Sequence, residues 1–391
     1  MNDSKPPDPD ASNDADALPT QPDRKAVHAQ VDVLLDKLIP DAPKRQRKFM
    51  HQLIYNAARA AQEEGDVLNL KIMARSIREL RRGFRAFAPW SDRQKVAVFG
   101  SARSKEDSPE YQMTVECSRQ LVEAGYMVVT GAGPGIMEAA NRGAGRENSF
   151  GVNIWLPFEA SANKYIEGDP KLVEFKYFFT RKVVFVKETD AVVLFPGGFG
   201  TQDELFETLT LIQTGKNEPC PVVMVDPPGS TYWADWDAYV RKALLGRGLI
   251  SEADLELYEI VQSSEAAVAY IERFYRNFHS IRYIDGHLVM RLQHAPTELL
   301  MDKLNAEFQD ILVTGKIEVA PAHPHEDDEP DTADLHRIRF DFNKRGLGRL
   351  RAMIDVLSAA VTPEQARTGH SFRPVHRITP ANELTDDEFE K

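Results

Sequence analysis

The sequence predicts an α/β fold: a doubly wound parallel sheet with a helical region before it and a small α+β unit after it. Three observations carry that reading. Between Lys95 and about Phe274, short apolar runs alternate with amphipathic stretches of helical period. Runs such as Ala191–Phe195 are apolar at every position, as in strands buried on both faces by flanking helices. Glycine-rich turns follow directly after strands, where such sheets bind their ligands.

The elements follow in order. Residues 1–24 are Asp, Pro, Ser and Asn with almost no aliphatics, which predicts a disordered acidic tail. Residues 25–90 form a helical region. Val27, Val31, Leu34, Leu35 and Leu38 recur at helical spacing and Pro40 ends that run. Helices from Lys44 to Glu64 and from Val67 to Phe87 come next. Arg75, Arg78, Arg81, Arg82 and Arg85 read as the solvated face of the last one, an anion patch being the sharper alternative.

Within the α/β domain, residues 91–278, strands are expected at Lys95–Phe99, Tyr126–Thr130, Phe150–Leu156, Ala191–Phe195 and Val222–Val225. Helices are expected at Ser108–Ala124, Ile136–Arg142, Arg181–Glu188, Thr201–Thr214 and Trp233–Leu245. Residues 279–360 form the α+β unit. It has a hairpin turning at Asp285-Gly286 between Ile281–Ile284 and His287–Leu292, strands at Gly315–Val319 and Arg337–Phe342, and helices at Pro296–Phe308 and Leu347–Ala359. Residues 361–391 read as a flexible tail.

Composition narrows the function. The 391 residues are 42% hydrophobic and 28% charged, ordinary for a soluble chain, with no apolar run long enough for a membrane span. Met1–Asp23 lacks the apolar stretch of a secretory leader, and two cysteines, Cys117 and Cys220, are too few for a disulfide framework or a thiolate zinc site. A cytoplasmic protein is expected. A net charge of −12 argues against nucleic-acid binding, but a helix N-terminus can still hold a small anion.

The strongest chemical signal is Pro196-Gly197-Gly198-Phe199-Gly200-Thr201-Gln202-Asp203-Glu204, opening a helix after a strand. Glycines let backbone N–H groups approach an anion, and Thr201 can cap the helix and donate its hydroxyl to a phosphate oxygen. No lysine follows the last glycine, so this is not a Walker A loop. Glu204, one turn in, could orient a water or stabilise positive charge on a sugar carbon; compensating the helix dipole is its plainer role, and Asp203 shares the ambiguity.

A second turn, Thr130-Gly131-Ala132-Gly133-Pro134-Gly135-Ile136-Met137-Glu138, resembles a dinucleotide fingerprint only in part, because Ile136 replaces its third glycine. Gly100-Ser101-Ala102-Arg103 adds a third small-residue turn, and together they outline a nucleotide-sized cleft. Arg181 and Lys182 open a helix, where cations oppose the dipole and so suggest a functional reason. His323 and His325 beside Glu326, Asp327 and Asp328 read as a solvated charge run rather than a metal site. No metal and no cofactor are expected.

Taken together, Gly100-Ser101, Gly131 to Glu138, Phe178-Phe179-Thr180-Arg181-Lys182 and Pro196 to Glu204 resemble the LOG family of phosphoribohydrolases, often labelled lysine decarboxylases. The resemblance spans about Lys95 to Phe274. It implies a Rossmann-like fold, a homodimer or higher homo-oligomer, and cofactor-free hydrolysis of nucleoside 5′-monophosphates to free base and ribose 5-phosphate. It also implies that Arg181 and Glu204 are the catalytic pair and that Gly197, Gly198, Gly200 and Thr201 hold the 5′-phosphate. Met137 and Glu138 would line the base or ribose pocket, Lys182 would assist binding, and Gly100, Ser101, Gly133 and Gly135 would complete the cleft.

Short members often carry Gly-Gly-Gly where this chain has Gly-Ala-Gly-Pro-Gly. The flanking regions, outside the family domain, point to nucleotide salvage, as in an AMP nucleosidase, rather than a plant-type cytokinin role; they are expected to cover the cleft or build a larger oligomer. The alternatives are a regulatory protein that binds nucleotide without turnover and a single-strand DNA binder, the latter disfavoured by charge and by the lack of an aromatic-basic stripe.

Overall fold

The structure, a computed structural model, describes residues 24–63, 65–155, 162–326, 329–362 and 365. Residues 1–23 of the acidic tail, all but three residues of the C-terminal tail, and Asp327 and Asp328 lie outside the described residues. The chain divides into two compact units, Met1–Arg78 and Glu79–Lys391.

In the first unit, α1 (Arg24–Leu38) packs on α2 (Lys44–Glu63). Val27, Val31 and Leu35 are buried against Ile39, Met50, Ile54, Tyr55 and Ala58. Helix α3 (Val67–Phe87) begins in this unit and ends in the second. Its Arg78, Arg81, Arg82 and Arg85 are exposed and Arg75 is half-buried.

The second unit opens with β1 (Lys95–Phe99), α4 (Pro109–Glu123), β2 (Met127–Thr130), α5 (Ile136–Ala144), β3 (Ser149–Ile154) and β4 (Leu172–Phe175). Then come α6 (Phe178–Glu188), β5 (Ala191–Leu194), α7 (Phe199–Gln213), β6 (Val222–Val225), α8 (Tyr232–Tyr239), β7 (Glu259–Val261) and α9 (Ser264–Tyr275). The seven strands form one parallel sheet in the order β4-β3-β2-β1-β5-β6-β7. Strands β4 and β7 and helix α9 go beyond the elements read from sequence.

The apolar strands fill both faces by alternation. Val96, Val98, Val128, Val193, Val223 and Val225 join one core with α4, α5 and α9. Ala97, Phe99, Val129, Val192, Leu194, Val222 and Met224 join another with α6, α7, α8 and the end of α3. Fully burying a valine- or leucine-sized side chain contributes about 1.5–3 kcal/mol, so an all-apolar strand is stable only with helices on both sides.

The C-terminal elements are β8 (Phe278–Ile284), β9 (His287–Leu292), α10 (Glu298–Glu307), β10 (Glu318–Ala320), β11 (His336–Phe340) and α11 (Leu347–Ala359). Their antiparallel sheet runs β10-β11-β9-β8, and Met290, Ile338 and Leu350 belong to the same apolar core as Val96 and Val128. Among the described residues no helix is long and apolar enough to cross a membrane.

Candidate active site

The site follows from strand order. The chain lays β2, β3 and β4 successively to one side of β1, then crosses to β5 on the other side. The crevice between β1 and β5 is the switch point at which open α/β sheets bind ligands. Phe99 and Leu194 lie side by side at its mouth. Backbone bonds join the three turns there: Ser101 N–H donates to the Pro196 carbonyl at 3.0 Å, and Ile136 N–H donates to the Ser101 carbonyl at 3.0 Å.

In the turn after β5, Gly198 is the N-cap of α7 and supplies no side-chain cap. Thr201 is therefore not the cap expected from sequence. It is the third residue of the helix, buried, with its hydroxyl against Gly197. The helix starts earlier because the glycines take up the turn themselves. A Cβ on Gly197 would strike the Thr201 side chain, whereas one on Gly198 or Gly200 would meet open space. Tyr232 donates its hydroxyl to the Gly197 carbonyl at 2.5 Å and accepts from Gln202 Nε2 at 2.7 Å. Phe199, 96% exposed, stands at the rim.

Arg181 and Glu204 meet across this turn. Arg181 Nη2 is 3.1 Å from Glu204 Oε1, and both side chains are largely buried. Lys182 Nζ lies 3.6 Å from the other Glu204 oxygen and 3.0 Å from Asp203, and it also pairs with Glu207. Burial pushes the Glu204 carboxyl above its usual range, and Arg181 and Lys182 draw it part of the way back. Burial pulls the Lys182 ammonium down, but Glu207, Glu204 and Asp203 outweigh it and leave it raised. Buried Arg181 Nε has no hydrogen-bond partner among the described residues.

Arg181 does not open its helix as the sequence suggested. Helix α6 begins at Phe178, and Arg181 is its fourth residue. The guanidinium lies 5.1 Å from the Phe178 ring and 5.6 Å from the Phe185 ring.

The turn after β2 faces the pair, since a Cβ on Gly131 would stand 4.0 Å from Arg181 Nη1. Met137 packs beneath Gly131 and Gly133. Glu138 is 3.4 Å from the Tyr111 hydroxyl and 3.5 Å from Lys164 Nζ. Asn163 fastens the turn, its backbone N–H to the Ala132 carbonyl at 2.8 Å and its side-chain N–H to the Gly133 carbonyl at 3.1 Å. The sequence did not single out Tyr111, Asn163 or Tyr232. Each arrives from a distant stretch, and no local pattern marks it.

Away from the cleft, Glu326 is not part of a solvated run. It is buried and bonds Arg291 Nε at 2.7 Å and Arg337 Nε at 3.0 Å, because β9 and β11 deliver both arginines to it. Burial opposes its charge, but the His323 amide and the two arginines prevail and hold its carboxyl below the usual range. His323 and His325 lie beside Asp285, with one ligand atom from each of the three within 4.8 Å of the others. The His325 N–H donates to His323 Nδ1 at 3.2 Å, and His323 Nε2 lies 3.4 Å from Asp285 Oδ2.

Residues 137–271 match the family described as "Possible lysine decarboxylase". A probable cytokinin riboside 5′-monophosphate phosphoribohydrolase of Oryza sativa subsp. japonica is 32% identical over 158 residues, 39% of this chain and 61% of the rice protein. The cytokinin riboside 5′-monophosphate phosphoribohydrolase of Mycobacterium tuberculosis is 26% identical over 179 residues, 44% of this chain and 90% of that protein. A solved structure of the protein TM1055 is 28% identical, covering 46% of this chain and 99% of that one, with a TM-score of 0.33. The matched segment, which holds Arg181, Glu204 and the glycine turn after β5, is thus similar to that of the LOG phosphoribohydrolases.

Proposed function

We propose that this chain hydrolyses the N-glycosidic bond of nucleoside 5′-monophosphates, releasing free base and ribose 5-phosphate, with AMP or another purine nucleotide as the first substrate to try. The observation that carries the reading is the buried Arg181–Glu204 pair beside a turn whose Gly198 and Gly200 face open space among the described residues.

In this reading the amides of the turn and the N-terminus of α7 hold the 5′-phosphate, with Thr201 as a hydroxyl donor. The phosphate does not react, so its binding aligns the ribose. As the bond from C1′ to the base nitrogen breaks, its electron pair leaves with the base and positive charge builds on the ribose. Glu204 stabilises that charge and takes a proton from the water whose oxygen bonds to C1′; the base gains a proton from solvent. Arg181 stays charged and donates no proton. It orients substrate through donors such as the unpartnered Nε.

Met137 and Glu138 would border the base or ribose, and Gly100, Ser101, Gly133 and Gly135 would shape the floor. A homodimer or larger assembly belongs to the same proposal, with the exposed Phe179, Val183 and Phe206 as apolar surface for such a contact; light scattering on the purified chain tests it.

Chromatography of AMP, GMP, CMP and UMP after incubation with the wild type and with Glu204→Gln tests the reaction. Free base from the wild type, reduced by about 10²- to 10⁴-fold in the variant, is expected. Nucleotide that binds and stays intact would instead favour a regulatory binder.

A further inference from the structure

Helix α6 carries Arg181 and Lys182, yet its start is not capped locally. Tyr177, the preceding residue, is extended and supplies no side-chain cap. The acceptor comes from α3, about a hundred residues earlier in the chain. Glu79 is buried, and its carboxylate accepts the Lys176 N–H at 3.1 Å, the Tyr177 N–H at 3.4 Å and the Thr180 hydroxyl at 2.8 Å. Thr180 directly precedes Arg181. A carboxylate at a helix N-terminus is favoured by the dipole and by charge-assisted bonds, and three donors offset the cost of burying it.

The same stretch of α3 also fixes where α6 lies. One turn beyond Glu79, a Cβ on Gly83 would come within 2.8 Å of Val184 Cγ2 and 3.4 Å of Phe175 Cζ, so the two helices meet at a distance only glycine allows. Phe84 lies under the Lys187 ammonium at 4.9 Å. Start and lateral position of the helix that bears Arg181 are thus both set by α3, which precedes the whole sheet and the family-matching segment.

We propose that Glu79 is a positioning residue: through the first turn of α6 it holds the Arg181 guanidinium in register with Glu204 and the bound ribose phosphate. The proposal rests on the hydrolase reading above. It makes part of the N-terminal helical region a component of the catalytic apparatus. Displacing a catalytic group by about 1 Å can cost on the order of 10²-fold in rate, and releasing three anchoring bonds from one helical turn permits a shift of that size.

The test uses the full chain with AMP, GMP, CMP and UMP as probes, and compares Glu79→Gln, Glu79→Asp and Thr180→Val. Glu79→Gln is expected to lower kcat by about 10- to 100-fold while KM changes by less than about 3-fold. It should also speed hydrogen exchange at the Lys176 and Tyr177 amides. Glu79→Asp, which keeps the charge, should restore part of kcat. Thr180→Val removes only the hydroxyl and should lower kcat by roughly 3- to 10-fold; it decides the matter if Glu79→Gln does not fold.

Wild-type kcat in a folded Glu79→Gln, or in Thr180→Val, overturns the role of Glu79 and leaves the hydrolase reading intact. A kcat loss that tracks only the fraction of folded protein overturns it equally. A wild type that cleaves none of the four nucleotides sinks the hydrolase reading, and the catalytic role of Glu79 goes with it.

Discussion

The turns after β2 and β5 are both glycine-rich, but their glycines answer to different neighbours. After β2, Gly135 has a φ of +67° and packs against the Ser101 carbonyl and Ala102, and Gly131 and Gly133 lie on Met137. These glycines are required by the protein itself. After β5, only Gly197 is held in this way, while Gly198 and Gly200 face open space with ordinary backbone angles. In the proposed function the room at Gly198 and Gly200 belongs to the 5′-phosphate. Equal glycine content therefore conceals two situations: the glycines of one turn are packed against the protein, and two of those in the other face open space.

Gly135→Ala should produce the largest effect, and it should be an effect on folding. A left-handed backbone and a Cβ driven into backbone atoms together cost about 3 kcal/mol or more. Chemical denaturation would show it, and an unchanged midpoint would remove the distinction between the turns. Gly200→Ala should do the opposite. Alanine favours a helix over glycine by up to about 1 kcal/mol, so stability should hold or rise. Nucleotide turnover should fall by at least about tenfold, the equivalent of 1.4 kcal/mol of lost transition-state binding. A Gly200→Ala protein with full activity would mean that the open space is incidental.

Much of this was legible in the sequence, and the remainder has physical reasons. Strands β1 and β6 and helices α3 and α11 have the limits their apolar patterns predict, because each is set by local periodicity. Edge strands β4 and β7 were missed because four and three residues are too short to establish a period. The motif residues of the cleft were legible because backbone chemistry demands them at fixed spacing. Their supports were not: Tyr232 reaches Gly197, and Glu79 reaches α6, only through the fold. Glu326 was misread for the same reason. A run of charges looks solvated until two strands bring Arg291 and Arg337 to one of them.

The pH profile gives the finest test of how the two sides of the cleft cooperate. Burial raises the Glu204 carboxyl, and Arg181 and Lys182 oppose that rise. Since the folded value lies above the unfolded one, this group's contribution to stability is complete below the usual carboxyl range and is lost as pH rises through the folded value. Activity has the opposite sense. In the proposed reaction the ionised carboxylate does the work, so turnover should fall as pH drops through that raised value. Lys182→Gln removes one of the cations that favour ionisation, so the acid limb should move to higher pH, whatever the height of the alkaline plateau. The measurement is kcat/KM against pH for both proteins. An acid limb that stays in place, or moves to lower pH, would mean that Glu204 is not the group whose ionisation controls the reaction.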